Sequence, residues 1–132
     1  MRRLAIGIGF RDQATAQSIG QVLADVVASA ATPEVAIVLA VVEDKAAHPG
    51  LLAAARAAHL PIVTVTAEAM READARIITR SEHIIRQRGV GSVCEAAALA
   101  ATGAVARLIV TRQISTDHTA TAAAALSEET AP

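Results

Sequence analysis

Short apolar runs rich in Ile, Val and Leu alternate along the chain with longer segments of mixed polarity. Apolar runs of this length predict buried strands. The run at residues 35–42 is apolar at every position, which is typical of a strand covered on both faces. The predicted strands are residues 4–8, 35–42, 62–65 and 108–110.

The longer segments carry apolar residues three and four positions apart, the spacing of a helix face. In the first of them Ile19, Val22 and Val26 repeat at this spacing, and either Asp12 or Thr15 caps its start. In the last, residues 92–95 have the S-x-x-E spacing of a capping box, and a glycine at 103 ends the helix. The predicted helices are residues 13–30, 51–59, a short one after Thr66, 81–87 and 93–101.

Residues 119–126 fit either a helix or a strand. Their alanines favour a helix, whereas their place after a strand and a turn favours a last strand. The alternation of strands and helices predicts an α/β fold, a three-layer α/β/α sandwich around a central, largely parallel or mixed sheet of about five strands. We expect one domain over residues 1–126, followed by a disordered tail at 127–132.

Composition narrows the classes of function. Lys and Arg (12) nearly balance Asp and Glu (13), so no net charge attracts nucleic acid or an anionic membrane. One Phe, no Trp and no Tyr disfavour a protein that stacks bases on aromatic rings. The apolar runs are far shorter than the roughly 20 residues of a membrane helix. A single cysteine, Cys94, fits a reducing compartment, and we expect a cytoplasmic protein.

The first strand is followed by Gly7, Gly9 and Arg11, at the end of a strand where α/β sheets bind ligands. Glycines let the backbone approach a ligand, the helix start presents N–H groups, and the arginine adds positive charge. A dinucleotide fingerprint would need a third glycine where Asp12 stands, and its carboxylate would repel a pyrophosphate. A plain strand-to-helix turn and a nucleotide-binding α/β domain are the alternatives.

Three other features suggest chemistry, each with a structural alternative. Gly91 and Ser92 open the last helix, where they either hold an anion or simply cap the helix. Cys94 lies among alanines and is interpreted as a buried structural thiol. The four histidines lack metal-ligand spacing, so we expect neither a metal nor a cofactor. Arg112 follows a predicted strand and either pairs with a ligand carboxylate or lies at the surface.

Four segments carry a family resemblance. Residues 7–11 (GIGFR) resemble a G-x-G-C-R motif, and residues 45–51 (KAAHPGL) resemble K-x-x-E-x-G-L. Residues 91–99 (GSVCEAAAL) resemble G-x-V-x-E-A-A-A-L, and residues 108–122 are similar to a closing strand, a basic residue and an A-T-x-A segment. Together and in this order they resemble the CobE family and the C-terminal domain of CbiG, proteins of corrin-ring synthesis.

The resemblance implies a cobalamin-biosynthesis protein of the aerobic pathway. It would bind a corrinoid or precorrin intermediate, such as hydrogenobyrinic acid, as a carrier or as a hydrolase or isomerase. CbiG itself is associated with hydrolysis of the ring lactone of cobalt-precorrin-5A. The sequence lacks the N-terminal region of full-length CbiG, so we expect a stand-alone CobE-like protein, with other enzymes of the pathway as partners.

The resemblance and the turns together give a set of candidate binding residues: Gly7, Gly9, Arg11, Lys45, Gly91, Ser92, Glu95 and Arg112. No catalytic residue is assigned. Phe10 replaces the family's usual Cys, so a catalytic thiol is not available there, and His48 replaces the usual Glu. Arg112 stands where Lys is common.

Overall fold

The computed structural model describes residues 3–30, 35–103 and 105–127. The strands are β1 Arg3–Phe10, β2 Ala36–Val42, β3 Ile62–Val65, β4 Ala106–Ile114 and β5 Ala120–Ser127. The helices are α1 Ala16–Ala30, α2 Pro49–Ala58, α3 Ala67–Ala73, α4 Glu82–Arg88 and α5 Val93–Thr102. Every strand and helix predicted from the pattern is present, although β4 is longer because its second half is largely polar and lacks the apolar signal.

The five strands form one mixed sheet in the order β3-β2-β1-β5-β4. Strands β1, β2 and β3 pair in parallel, whereas β5 runs antiparallel to both β1 and β4. The α/β fold with a mixed sheet is therefore confirmed. Residues 119–126 lie mainly in a strand, because the backbone of β5 is paired on both sides and this pairing overrides the helix propensity of alanine.

Two apolar cores cover the two faces of the sheet. The larger side chains of β1, at its even-numbered positions, pack with α1 and α2. Ala5, Gly7 and Gly9, at odd-numbered positions, are small and lie on the face of the strand toward α5. At Gly7 a Cβ would lie 1.9 Å from the carbonyl oxygen of Cys94, so only glycine lets α5 approach this closely. Many of the 33 alanines lie on this face and on β5, where they keep the layers close together.

The strand directions show which edge of the sheet carries the carboxyl ends of most strands. Strands β1 to β4 all end at one edge of the sheet, where β5 begins. At that edge Thr15 caps α1, its Oγ1 accepting the N–H of Ser18 at 3.1 Å. At the far end, β5 includes Ser127, and the rest of the predicted tail lies outside the described residues. No described helix is long and apolar enough to cross a bilayer.

Candidate functional site

A cleft of about 560 Å³ opens at this edge of the sheet. The carboxyl ends of strands are the usual ligand site of α/β sheets, and small-molecule pockets have volumes of about 300–1,000 Å³. Its walls come from the β1–α1 loop, the turn after β2, α4, the start of α5 and the β4–β5 turn. The basic side chains that line it are Arg11, Lys45, His83, Arg88, Arg112 and His118.

Arg11 and Arg112 present guanidinium groups to the cleft while their backbones are fixed. The N–H of Arg11 donates to the carbonyl of Thr119 at 2.8 Å, which joins the β1–α1 loop to the β4–β5 turn. The N–H of Arg112 donates to Glu95 Oε2 at 2.8 Å. In the part of the chain that the structure describes, neither guanidinium makes a hydrogen bond or an ion pair. Both cations are therefore available to an anionic ligand.

Lys45 is held at the side of the cleft by a cluster of three residues. Its Nζ lies 2.5 Å from Asp12 Oδ1 and 5.5 Å from the centre of the Phe10 ring. The hydrogen bond from Lys45 holds the pKa of the Asp12 carboxyl below its ordinary value. His48 lies beside the Phe10 ring and its Nε2 is 2.8 Å from the carbonyl oxygen of Asp12. The Lys45 charge is thus fixed in place and partly neutralised.

Helix α4 forms a further wall and carries His83, Ile84 and Arg88 to the cleft. It ends at Gly89, whose φ of 75° lies in the left-handed region that favours glycine. In its last turn the guanidinium of Arg88 lies 3.1 Å from a carboxylate oxygen of Asp44, which belongs to the 3-10 turn after β2. This ion pair connects the C-terminal end of α4 to the turn after β2.

Asp74 closes the base of the loop that carries α4. Its Oδ1 accepts the N–H of Gly91 at 3.0 Å, and its Oδ2 pairs with Arg80 at 2.9 Å. The bond from Arg80, followed by that from Gly91, lowers the pKa of the Asp74 carboxyl. The carbonyl of Gly91 accepts the N–H of Ser81 at 2.8 Å. Both backbone groups of Gly91 therefore hold the loop together.

Only half of the predicted capping box is formed. Ser92 Oγ accepts the N–H of Glu95 at 3.5 Å, as expected for the cap of α5. The Glu95 carboxylate does not return to Ser92; it accepts the N–H groups of Ile78, Thr79 and Arg112, each at 2.8 Å. Burial raises the pKa of the Glu95 carboxyl, but the bonds from Thr79, Arg112 and Ile78 outweigh it, and the pKa lies below its ordinary value.

Cys94 is fully buried in α5, in agreement with its interpretation as a structural thiol. Burial raises the pKa of its thiol to about 11, so the thiol stays protonated and unreactive near neutral pH. Among the described residues, no three His, Cys, Asp or Glu side chains are grouped closely enough to hold a metal ion.

The structure brings together part of the predicted set. Gly9, Arg11, Lys45 and Arg112 line the cleft. Four predicted residues are not part of the lining and take part instead in packing and hydrogen bonds: Gly7, Gly91, Ser92 and Glu95. Sequence reasoning missed further lining residues, among them Asp12, His83, Arg88 and His118. A seven-residue helix such as α4 gives no pattern that shows which of its side chains face a ligand.

The sequence matches the profile of the family described as cobalamin synthesis G C-terminus over residues 4–125. The chain belongs to this family. Its fold is similar to the crystal structure of CobE, a protein from the cobalamin (vitamin B12) biosynthetic pathway, with a TM-score of 0.81 and 27% identity over 95% of this chain and 90% of that one. It is also similar to the cobalamin biosynthesis protein chiG from Agrobacterium tumefaciens str. C58, with a TM-score of 0.70 and 35% identity over 96% and 99% of the two chains. A search of curated proteins gives no significant match.

Membership of the cobalamin synthesis G C-terminal family confirms the resemblance and makes the chain a CobE/CbiG-like protein of cobalamin biosynthesis. The comparisons favour this assignment over the nucleotide-binding alternative. Two positions that depart from the family motifs, Phe10 and His48, are in direct contact beside the cleft. These two positions therefore share one local environment, next to Lys45.

Proposed function

We propose that the chain binds a corrinoid or precorrin intermediate in the cleft at the strand ends. Such intermediates are macrocycles fringed with acetate and propionate carboxylates. The observation that carries the proposal is that Arg11 and Arg112 face the cleft without a partner among the described residues, with Lys45 and Arg88 beside them. Guanidinium groups recognise carboxylates through paired hydrogen bonds, so this arrangement suits a ligand with several of them.

A carrier that holds the intermediate and passes it to another enzyme of the pathway is the function that this geometry supports best. The lining supplies fixed cations and apolar surface, and the thiol of Cys94 is buried with a raised pKa. A hydrolase or isomerase is the second candidate, because His83 and His118 line the cleft and histidine is the commonest general acid or base in enzymes. We propose a cytoplasmic location, which a single free cysteine fits.

The binding proposal is tested by titrating the protein with hydrogenobyrinic acid and following the visible absorption of the macrocycle. We expect a saturable spectral change at micromolar ligand that is lost in the double variant Arg11→Ala and Arg112→Ala. A wild-type protein that leaves the spectrum unchanged would contradict the proposal. Binding of labelled NAD or ATP instead would support the nucleotide alternative.

A second experiment separates carrier from enzyme. The protein is incubated with earlier precorrins, and the products are analysed by mass spectrometry. Recovery of every precorrin at its original mass and retention time supports the carrier. Gain of one water indicates a hydrolase, and an unchanged mass with a new retention time indicates an isomerase. Loss of either activity in His83→Gln or His118→Gln would assign the proton transfer.

A further inference from the structure

A buried carboxylate at the start of α5 joins two distant segments of the chain. Glu95 lies in the first turn of α5 and its side chain is fully buried. Its Oε1 accepts the N–H groups of Ile78 and Thr79, and its Oε2 accepts the N–H of Arg112. The first two donors precede α4, and the third belongs to β4.

These three N–H groups lie where regular structure is interrupted. Ile78 and Thr79 fall between a 3-10 turn and α4, outside any helix or strand. Arg112 falls within a register shift of the β4–β5 ladder, between Val110 and Gln113. Their hydrogen bonds are partly buried, where an N–H without an acceptor is costly, and the carboxylate supplies an acceptor for all three. Its negative charge is stabilised in turn by the start of α5.

The segments that Glu95 holds are those that carry the cleft lining. The side chain of Arg112 faces the cleft from β4. Two residues after Thr79, Ser81 caps α4, which brings His83 and Arg88 to the same cleft. The backbone of Arg112 and the segment before α4 are therefore both hydrogen-bonded to the Glu95 carboxylate. Glu95 itself does not line the cleft.

We infer that Glu95 is a positioning residue: it fixes Arg112 and the α4 wall relative to α5 and so sets the spacing of the cleft's cations. The consequence for ligand binding rests on the proposed function, whereas the positioning itself does not. An ordinary capping-box residue would return to the Ser92 N–H and stabilise α5 alone. Glu95 instead bonds to two other segments.

The positioning is tested without ligand by amide hydrogen exchange, read by nuclear magnetic resonance. In the wild-type protein we expect the amides of Ile78, Thr79 and Arg112 to be protected. Glu95→Gln keeps one acceptor oxygen and replaces the other with an amide nitrogen. We therefore expect the amides of Ile78 and Thr79, or the amide of Arg112, or both sets, to exchange about tenfold faster than in wild type. The matched control is Glu82→Gln, which removes an exposed carboxylate from α4 and leaves these amides unchanged.

Two results would overturn the positioning role. One is exchange at these amides in the wild-type protein as fast as in an unfolded chain. The other is equal protection in Glu95→Gln and wild type. If Glu95→Gln does not fold, Glu95→Asp replaces it, because the shorter carboxylate cannot reach both segments and one set of amides must lose protection. Full protection of both sets in that variant contradicts the inference.

The binding consequence is tested by titration with hydrogenobyrinic acid. We expect Glu95→Gln to weaken binding about tenfold, and Arg112→Ala to cost less in the Glu95→Gln background than in wild type. Val26→Ala, which leaves a cavity in the core on the other face of the sheet, serves as the destabilised control, and we expect it to leave affinity nearly unchanged. Additive losses, or an equal loss in Val26→Ala, would overturn the consequence. A wild-type protein that does not bind refutes the proposed function, while the exchange data still decide the positioning.

Discussion

The imidazole of His48 packs against the phenyl ring of Phe10, with ring centroids 4.7 Å apart and planes inclined by 59°. His48 is also the cap of α2, where its Nδ1 accepts the N–H of Gly50 at 3.1 Å. Because Nδ1 is an acceptor, the neutral ring carries its proton on Nε2, which donates to the carbonyl of Asp12 at 2.8 Å. One side chain thus joins the end of β1, the β1–α1 loop and α2.

This contact predicts energetic coupling between the two rings. Phe10→Ala and His48→Ala should be non-additive by about 0.5–1.5 kcal/mol, the range for paired aromatic rings. His48→Ala alone also removes a helix cap, which costs about 1 kcal/mol. Urea unfolding of the two single variants and the double variant measures the coupling. The control cycle pairs Phe10→Ala with Met70→Ala, on the other face of the sheet, and should be additive. Additivity in both cycles would show that the ring contact contributes nothing.

The close approach of α5 to β1 predicts opposite effects at two glycines. Gly7→Ala places a Cβ 1.9 Å from a backbone oxygen of α5, so the helix must shift. We expect the free energy of unfolding to fall by about 1–3 kcal/mol. Gly20→Ala lies in α1 with no atom within 4 Å of the new Cβ and should stabilise the protein by about 0.5–1 kcal/mol. Thermal unfolding of both variants provides the measurement. A Gly7→Ala variant as stable as wild type would mean that the two backbones are not in contact.

Gly7 also shows what sequence reasoning could and could not provide. Among the described elements, the pattern predicted the five helices and four of the five strands, because apolar periodicity is a local property. It interpreted Gly7 as a ligand-binding glycine, whereas its neighbours are atoms of α5, more than eighty residues away in sequence. Glu95 is a similar case: its spacing from Ser92 predicts a local cap, yet its partners are Ile78, Thr79 and Arg112. Such partners are set by the packing of the layers, which no local pattern contains.

The cleft residues also include some that the sequence could predict and others that it could not. Arg11 and Arg112 could be predicted because Arg11 follows β1 and Arg112 lies near the end of β4, and strand ends meet at one edge of an α/β sheet. Residues 119–126 were ambiguous because alanine favours helices, and only pairing with β1 and β4 decides for a strand. Arg88 could not be predicted, because the orientation of α4 depends on its ion pair with Asp44 and on the hydrogen bonds of Asp74.

Arg11 and Arg112, whose guanidinium groups have no partner among the described residues, predict a charge-dependent loss of ligand binding. Arg11→Ala or Arg112→Ala should each weaken binding of hydrogenobyrinic acid by about 1.5–3 kcal/mol, the value of a hydrogen bond to a charged group. Added salt should reduce wild-type affinity more than that of either variant. Arg56→Ala, an exposed arginine on α2 away from the cleft, is the matched control and should bind like wild type. Equal affinity in Arg112→Ala and Arg56→Ala would place Arg112 outside the site.

The β4–β5 turn predicts sensitivity to acid. Hydrogen bonds from the hydroxyls of Ser18, Ser115 and Thr119 hold the pKa of Asp117 well below its ordinary value of 3.8. A carboxyl whose pKa is lowered on folding adds stability that is complete above its unfolded pKa and is lost as pH falls toward the folded value. The stability advantage of wild type over Asp117→Asn should therefore be constant above about pH 5 and shrink below about pH 4.

Urea unfolding at a series of pH values tests this. Ser18→Ala removes one of the donors to Asp117 and should move the acid loss of stability to higher pH, because the folded pKa rises toward the unfolded one. A wild-type advantage that persists unchanged to pH 2 would contradict the assignment.

The small residues under α5 also determine how the two sides of the sheet tolerate substitution. On the α1 side, exchanges among Leu, Ile and Val preserve volume and leave the layers in place. On the α5 side, a carbon added at Gly7 pushes α5 away from β1, and Val93 at the start of that helix lines the cleft. A library of random variants that is selected for folding alone should therefore keep glycine and alanine on that face. If those positions stay constant among functional variants, the constancy reflects the short distance between helix and sheet rather than contact with a ligand.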